Sequence, residues 1–166
     1  MKTVTAYIGF GSNLGSKVTN CRKAIKETDG IPGCSVKIKS HFYRTEPVGV
    51  EGHDWYVNGV ISLLTDISAQ DLMKNILAIE ADMGRKRKGK WDSRPIDLDI
   101  LLFGEHVINK NDLTIPHPLM HLRKFALVPM VQLVPDLIHP VLGKTMTELL
   151  DVCPEKGQAV FQMAVR

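Results

Sequence analysis

The seven residues Asp97 to Phe103 (DLDILLF) constrain the fold more than any other stretch of the chain. Leu98, Ile100, Leu101, Leu102 and Phe103 make a short apolar run of the kind that forms a buried strand, interrupted only by Asp97 and Asp99. Side chains alternate along a strand, so the two aspartates share a face with Cα atoms roughly 6.6 Å apart. Like charges held that close beside apolar residues repel and lose solvation. A divalent cation between them relieves both penalties, and a pair of carboxylates suits magnesium. Just before this strand stand Arg85, Lys86, Arg87, Lys88, Lys90 and Arg94, with Gly89 as a flexible point and Trp91 as the large apolar group. Cations facing a carboxylate–magnesium pair describe a site for polyphosphate, where positioning and charge neutralisation carry most of the catalysis.

Each half of that stretch also has an ordinary explanation. A basic run is commonly a solvated face, and Asp-x-Asp pairs are frequent in any sequence. The combination points to chemistry: paired aspartates on an apolar strand, directly after a basic loop that contains glycine. The remaining composition sets bounds. A chain of 166 residues with 44% apolar and 23% charged content is expected to fold as one soluble domain spanning residues 1–166. The net charge of +3 makes no case for a nucleic-acid partner. Cys21, Cys34 and Cys153 are odd in number and lack Cys-x-x-Cys spacing, which favours reduced thiols in the cytoplasm over a disulfide framework or a zinc site. No stretch has the length and apolarity of a signal peptide or membrane span, so no membrane partner is expected.

In chain order, Thr3–Phe10 reads as a strand, followed by a turn through Gly9, Gly11 and Gly15. These glycines miss both common phosphate-loop spacings, so a structural turn is expected. Ser16 can cap a helix with the stripe Val18, Cys21, Ile25, which Gly30 ends. Ser35–Tyr43 alternates as a half-exposed strand, with Val36, Ile38 and Phe42 on one face and Lys37 and Lys39 on the other. A Pro- and Gly-rich loop, Thr45–Asp54, joins it to a second strand, Tyr56–Leu64. Ser68 starts a helix whose Leu72, Ile76, Ile79 and Met83 face the core, with Gly84 just past its end. Adding the Asp97 strand gives βαββαβ, an α+β ferredoxin-like sandwich with helices on one face of an antiparallel sheet. Beyond it come Leu113–Pro118 and a helix from about Leu122 to Leu133, in which Pro129 should bring a kink or the end. The tail carries little signal. The whole reads as the sandwich with a C-terminal helical extension.

Other groupings suit a ligand. Tyr56 and Asn58 share a strand face, an aromatic and an amide fit for a flat heterocycle with polar edges, or equally for a core pair. His117 and His121 have the spacing of a zinc pair, but Pro118 lies between them and no third ligand is near; His117 could instead donate to a phosphate. Arg123 and Phe125 put a cation and an aromatic near a helix start, where anions bind well.

The stretches YIGFGSNLG, FYRTEPVG, YVNGV, GRKRKGKWDSRPIDLDILLFG and LTIPHPLMHLRKFALVPMVQLVPD, in this order and spacing, resemble the 6-hydroxymethyl-7,8-dihydropterin pyrophosphokinases of the folate pathway over nearly the whole chain. The resemblance implies the same ferredoxin-like fold. It also implies transfer of pyrophosphate from ATP to the hydroxymethyl group of the pterin, releasing AMP, with two magnesium ions, ATP as co-substrate and a monomer or at most a weak homodimer. By position, Asp97 and Asp99 would hold the metals, and Arg85 and Arg87 would lie in a catalytic loop that Trp91 helps close. Arg94, Thr114, His117 and Arg123 would contact the nucleotide or its phosphates, Ile100 would lie against the adenine, and Glu80 would sit near the metal and the basic loop. Tyr56 and Phe125 would sandwich the pterin, while Asn58, Thr45, Glu46 and the backbone near Val48 would complete its pocket.

Two features depart from the family pattern. Trp91-Asp92-Ser93-Arg94 stands where the family usually has Trp-Gly-Pro-Arg, placing an extra negative charge near the triphosphate, and the basic loop is one residue shorter than in some relatives. Two competing readings use the same fold. A two-metal nucleotidyltransferase or nuclease on a palm-like fold would also carry paired aspartates, but with a more basic surface than 21 Lys and Arg against 18 Asp and Glu provide. A non-catalytic RNA-binding module would need exposed aromatics on its strands.

Overall fold

A computed structural model describes residues 2–48, 54–84, 95–154 and 156–164. Strand β1 (Val4–Ser12) is central: β4 (Tyr56–Thr65) runs antiparallel on one side of it and β5 (Asp97–Phe103) antiparallel on the other. The far side of β4 is shared by β2 (Cys34–Lys39) and β3 (Tyr43–Thr45), and β8 (Val160–Gln162) pairs with β3. A separate hairpin is formed by β6 (Ile108–Lys110) and β7 (Leu113–Ile115).

Alternation along β1 divides the molecule. Ala6, Ile8 and Phe10 point into a core shared with Val57, Ile61 and Leu63 of β4 and with Leu98 and Ile100 of β5. That core is closed by α1 (Lys17–Asp29), through Cys21, Ala24 and Ile25, and by α2 (Ala69–Asp82), through Leu72, Ile76 and Ile79. Ser68 caps α2 by accepting the Asp71 amide at 3.1 Å. Just past its end, Gly84 takes φ +89, a left-handed conformation that suits glycine.

The opposite face of the sheet is covered by the C-terminal helices, whose position the sequence left open. Tyr7, Val60, Leu101 and Leu102 pack against α3 (Lys124–Leu133) and α4 (Met146–Asp151), through Leu127, Met130, Met146 and Leu149. Pro129 does not mark the end of α3: it lies buried inside the helix, which continues to Leu133. As the sixth helical residue it withholds only the amide that would pair with the Phe125 carbonyl, a modest loss against the burial of Leu127 and Met130. Gln132 ties the far end of α3 to the sheet by accepting from the His41 amide at 3.0 Å and the Tyr43 hydroxyl at 2.6 Å.

Three further expectations change. Gly9 and Gly11 belong to β1 and not to a turn. The strand expected over Ser35–Tyr43 is broken at 40–42, where the Ser40 amide donates to the Val60 carbonyl and its hydroxyl accepts the Val60 amide at 2.9 Å. A register shift between Val36 and Ile38 turns Ile38 outward to 51% exposure, because one extra residue flips the face of every later position in the strand. In the tail, a reciprocal capping box between Thr145 and Glu148 starts α4, and β8 adds a strand to the sheet. Beside β8, Trp55 and Phe161 stack at 6.0 Å with the Arg44 guanidinium 4.4 Å from the Trp55 ring centre. No helix among the described residues is long and apolar enough to cross a membrane.

Gly59 shows how tightly the first core is filled. A Cβ there would strike the Phe10 ring and approach the Ser40 hydroxyl to 2.8 Å. Gly59→Ala should therefore reduce the unfolding free energy by about 1–3 kcal/mol, measured as an earlier midpoint in urea. Gly9→Ala, whose Cβ would meet Leu101 at an ordinary 3.5 Å, should move that midpoint far less.

Candidate active site

The paired aspartates fall where the alternation requires. Asp97 and Asp99 start β5 on the face away from α1 and α2, and both are partly exposed. On β1 their partners are Gly11 and Gly9, and across Gly11 on β4 lies Asn58. Strand spacing puts Asp97 and Asn58 about 10 Å apart with no side chain of β1 between them. A Cβ on Gly11 would collide with the Asn58 amide nitrogen and meet the Tyr56 ring at 3.6 Å, so glycine is what lets these two residues lean over β1. Asn58 is buried and fixed: its amide donates to the Phe10 carbonyl at 3.3 Å, and its oxygen accepts from the Thr45 hydroxyl at 2.5 Å.

The segment after β7 brings a second set of groups to this face. The Ile115–Pro116 peptide is cis, and the His117 amide donates to the Leu101 carbonyl at 2.9 Å, which sets His117 beside Asp99. Nδ1 of His117 accepts the Leu119 amide at 3.1 Å, so the neutral ring carries its proton on Nε2 as a donor. Burial holds this imidazole below its usual range; Asp99 opposes the shift and Arg123 adds to it. At the start of α3 the Arg123 guanidinium lies 5.5 Å from the centre of the Phe125 ring. The zinc alternative for His117 and His121 has no support, since His117 Nδ1 is occupied by a backbone amide and no group of three or more potential ligands occurs among the described residues.

Asp97, Asp99, His117, Arg123, Phe125, Tyr56, Asn58 and Thr45 are thus gathered around one sheet face. The other expected residues are placed differently. Glu80 is buried at the end of α2 and accepts the Leu98 amide at 2.8 Å, anchoring the outer edge of β5 between the two aspartates. The Ile100 side chain is in the core on the far face, which leaves only its main chain for an adenine. Thr114 is exposed on β7, opposite Asn109. Val48 is 43% exposed in its loop. Glu46 turns to the C-terminal segment, where its carboxylate accepts the Ala159 amide at 3.0 Å. Arg85, Arg87, Trp91 and Arg94 lie outside the described residues. The role of Gly11 was missed by the sequence reading; its signal was a second small residue at i+2 on an otherwise bulky strand.

An antiparallel sheet carrying paired carboxylates on its edge strand, with a histidine and an arginine alongside, is the equipment of a phosphotransfer enzyme. A family model, 7,8-dihydro-6-hydroxymethylpterin-pyrophosphokinase (HPPK), matches residues 7–135, and the chain belongs to this family. A Synechocystis protein named 2-amino-4-hydroxy-6-hydroxymethyldihydropteridine pyrophosphokinase is 38% identical over 88% of this chain and 74% of its own length. One of the same name from Pseudomonas aeruginosa is 37% identical over 91% of this chain and 93% of its own. Among solved structures, an HPPK-DHPS in complex with substrates superposes with TM-score 0.69 at 12% identity over 90% of this chain. The Plasmodium falciparum HPPK-DHPS with pteroate gives TM-score 0.69 at 14% identity. This chain spans 43% and 42% of those two longer chains, and the likeness is one of fold. The family assignment decides against the nucleotidyltransferase and RNA-binding readings.

The buried, neutral His117 yields a pH prediction. Its native value lies below the ordinary 6.5, as does that of His139, whose Nδ1 also accepts backbone amides and whose value is lowered by burial and by His121. The unfolded chain then takes up protons first, so the stability present above pH 6.5 is lost as pH falls through the lower native values. NMR titration should place both imidazole midpoints below 6.5, and His117→Gln should flatten part of the acid limb of unfolding free energy against pH.

Proposed function

We propose that this chain performs its family's reaction: transfer of the pyrophosphoryl group of ATP to the hydroxymethyl oxygen of 6-hydroxymethyl-7,8-dihydropterin, with release of AMP, in folate biosynthesis. The observation that carries the reading is the meeting on one sheet face of a carboxylate pair and an aromatic–amide pair across a strand that has only glycine there. The order β5-β1-β4-β2, antiparallel throughout and with α1 and α2 on one face, supports reading the fold as the family's ferredoxin-like sandwich, with α3, α4 and β8 appended.

The donor set fits magnesium. Asp97 and Asp99 offer oxygen alone, and a magnesium ion commonly takes one or two carboxylates with substrate phosphates completing its shell. In our reading the pair holds two ions, which when bound neutralise the triphosphate and polarise it toward attack. His117 Nε2–H and Arg123 donate to phosphate oxygens, and the neutral imidazole does so without needing a second proton. Tyr56 and Phe125 take the two faces of the pterin, while Asn58, Thr45 and the backbone near Val48 meet its polar edge. The pterin hydroxyl, oriented near Asp97, forms a bond to the β-phosphorus in line with the departing bridging oxygen, which leaves on AMP. The hydroxyl proton passes to solvent or a neighbouring oxygen. Arg85, Arg87, Trp91 and Arg94, which lie outside the described residues, are read as the family's basic segment, whose charge would offset that of the triphosphate.

Two measurements test this. Asp97→Asn and Asp99→Asn should each lower turnover, followed as AMP release, at least about a hundredfold, with no loss of thermal stability because one of two repelling charges is removed. Retained activity would sink the metal assignment. Calorimetry should show the pterin binding at least about tenfold more tightly with magnesium and a non-hydrolysable ATP analogue than alone, a coupling of about 1.4 kcal/mol. His117 and Arg123, fixed by phosphates, would restrain the neighbouring Phe125 before the pterin arrives. Equal affinities would mean a preformed pocket.

A further inference from the structure

The C-terminal segment lies beyond residues 7–135, which the family model matches, yet it reaches both walls of the proposed pterin pocket. One wall is the start of α3, with Arg123 and Phe125. Arg123 occupies the helix-cap position but makes no side-chain capping bond there. The acceptor comes from elsewhere: Oε1 of the buried Gln158 accepts the Lys124 amide at 3.0 Å. Its Nε2 donates to the Leu122 carbonyl at 3.0 Å and to the Pro154 carbonyl at 2.7 Å. Gln158 thereby holds the backbone on both sides of Arg123, two residues from Phe125.

The next residue holds the other wall. The Ala159 amide donates to the Glu46 carboxylate at 3.0 Å, the Glu46 amide donates to the Ala159 carbonyl at 2.9 Å, and Val160 pairs with Thr45. A cleft of about 410 Å³, lined by Glu46, Lys124, Val128 and residues 157–161, runs between these elements. At this level the two walls are joined through these hydrogen bonds, while farther along α3 Leu127 and Met130 pack with Val60 of β4 and Gln132 accepts from His41 and Tyr43.

We infer that Gln158 is a positioning residue for the pterin site, which with Glu46 fixes the distance between Phe125 and the Thr45–Asn58 side of the pocket. This rests on the pterin-site reading above. Gln158 acts through Phe125 and touches no substrate.

The test is a double-mutant cycle on the full chain, with the dihydropterin titrated in the presence of magnesium and a non-hydrolysable ATP analogue, well below the unfolding temperature. Gln158→Ala should weaken pterin binding about tenfold, the scale of a lost directional hydrogen bond. It should raise the pterin KM by a similar factor while leaving kcat within about threefold. Phe125→Ala should also weaken binding, and the double variant should be little worse than Phe125→Ala alone. Glu46→Ala should imitate Gln158→Ala, and Glu46→Gln, which keeps an acceptor for the Ala159 amide, should recover most of the loss. A merely structural role would lower the melting temperature and leave the affinity of the folded protein unchanged. That result, or additive effects in the cycle, would overturn the inference. Were Gln158→Ala too unstable to titrate, the Glu46 pair decides by the same criterion. Wild-type affinity in Phe125→Ala would overturn the pocket reading itself, and the inference with it.

Discussion

The Asn58 amide lies over Gly11 in the space a side chain would fill, and the functional face depends on this contact. Hydrogen-bonded to Thr45 on one strand and to the Phe10 carbonyl on another, Asn58 locks three strands at the level of Asp97. Any larger residue at Gly11 would displace the amide, and with it the polar edge offered to a heterocycle. The same strand turns Ala6, Ile8 and Phe10 the other way, into the larger core. A single stretch of nine residues thus faces the larger core on one side and, on the other, the second core at Tyr7 and the candidate site at Gly9 and Gly11.

Much of this was legible because period alone dictates it. The aspartate strand, the stripes of α1 and α2 and the placing of Tyr56 beside Asn58 need only alternation or helical spacing, and all appear as expected. Ile38 was misjudged because a bulge is a pairing event, decided by Ser62 accepting its amide from the neighbouring strand, and no residue at 36–38 announces it. Val160–Gln162 was missed for a related reason: three residues make a strand only when β3 offers an edge. The Thr145–Glu148 box, by contrast, stood in the sequence and went unused. Within the site, residue types were readable and partners were not. Glu46 and Glu80 are both acids in suggestive places, yet each carboxylate accepts a backbone amide, one from Ala159 and one from Leu98.

The electrostatics of the face reflect where protons are excluded. His117 lies between an anion and a cation, and its own backbone neighbour occupies Nδ1. It is consequently a fixed neutral donor, with its orientation set by the Leu101 and Leu119 hydrogen bonds. Among the described residues, Arg123 is the cation beside His117, and its guanidinium also lies over the Phe125 ring. An arginine stacked on the aromatic that would meet the pterin links the two substrates through one side-chain contact.

The stack of Trp55 on Phe161 has an optical consequence. The chain has two tryptophans, and the other, Trp91, belongs to the basic segment. Trp55 is partly buried, with a β8 ring on one flank and the Arg44 guanidinium close to its π face. In a chain where phenylalanine replaces Trp91, the remaining indole emission would track attachment of the C-terminal strand, reddening as water replaces Phe161. In the complementary chain lacking Trp55, the emission would track the basic segment alone. The C-terminal strand and the basic segment are therefore reported by separate intrinsic fluorophores.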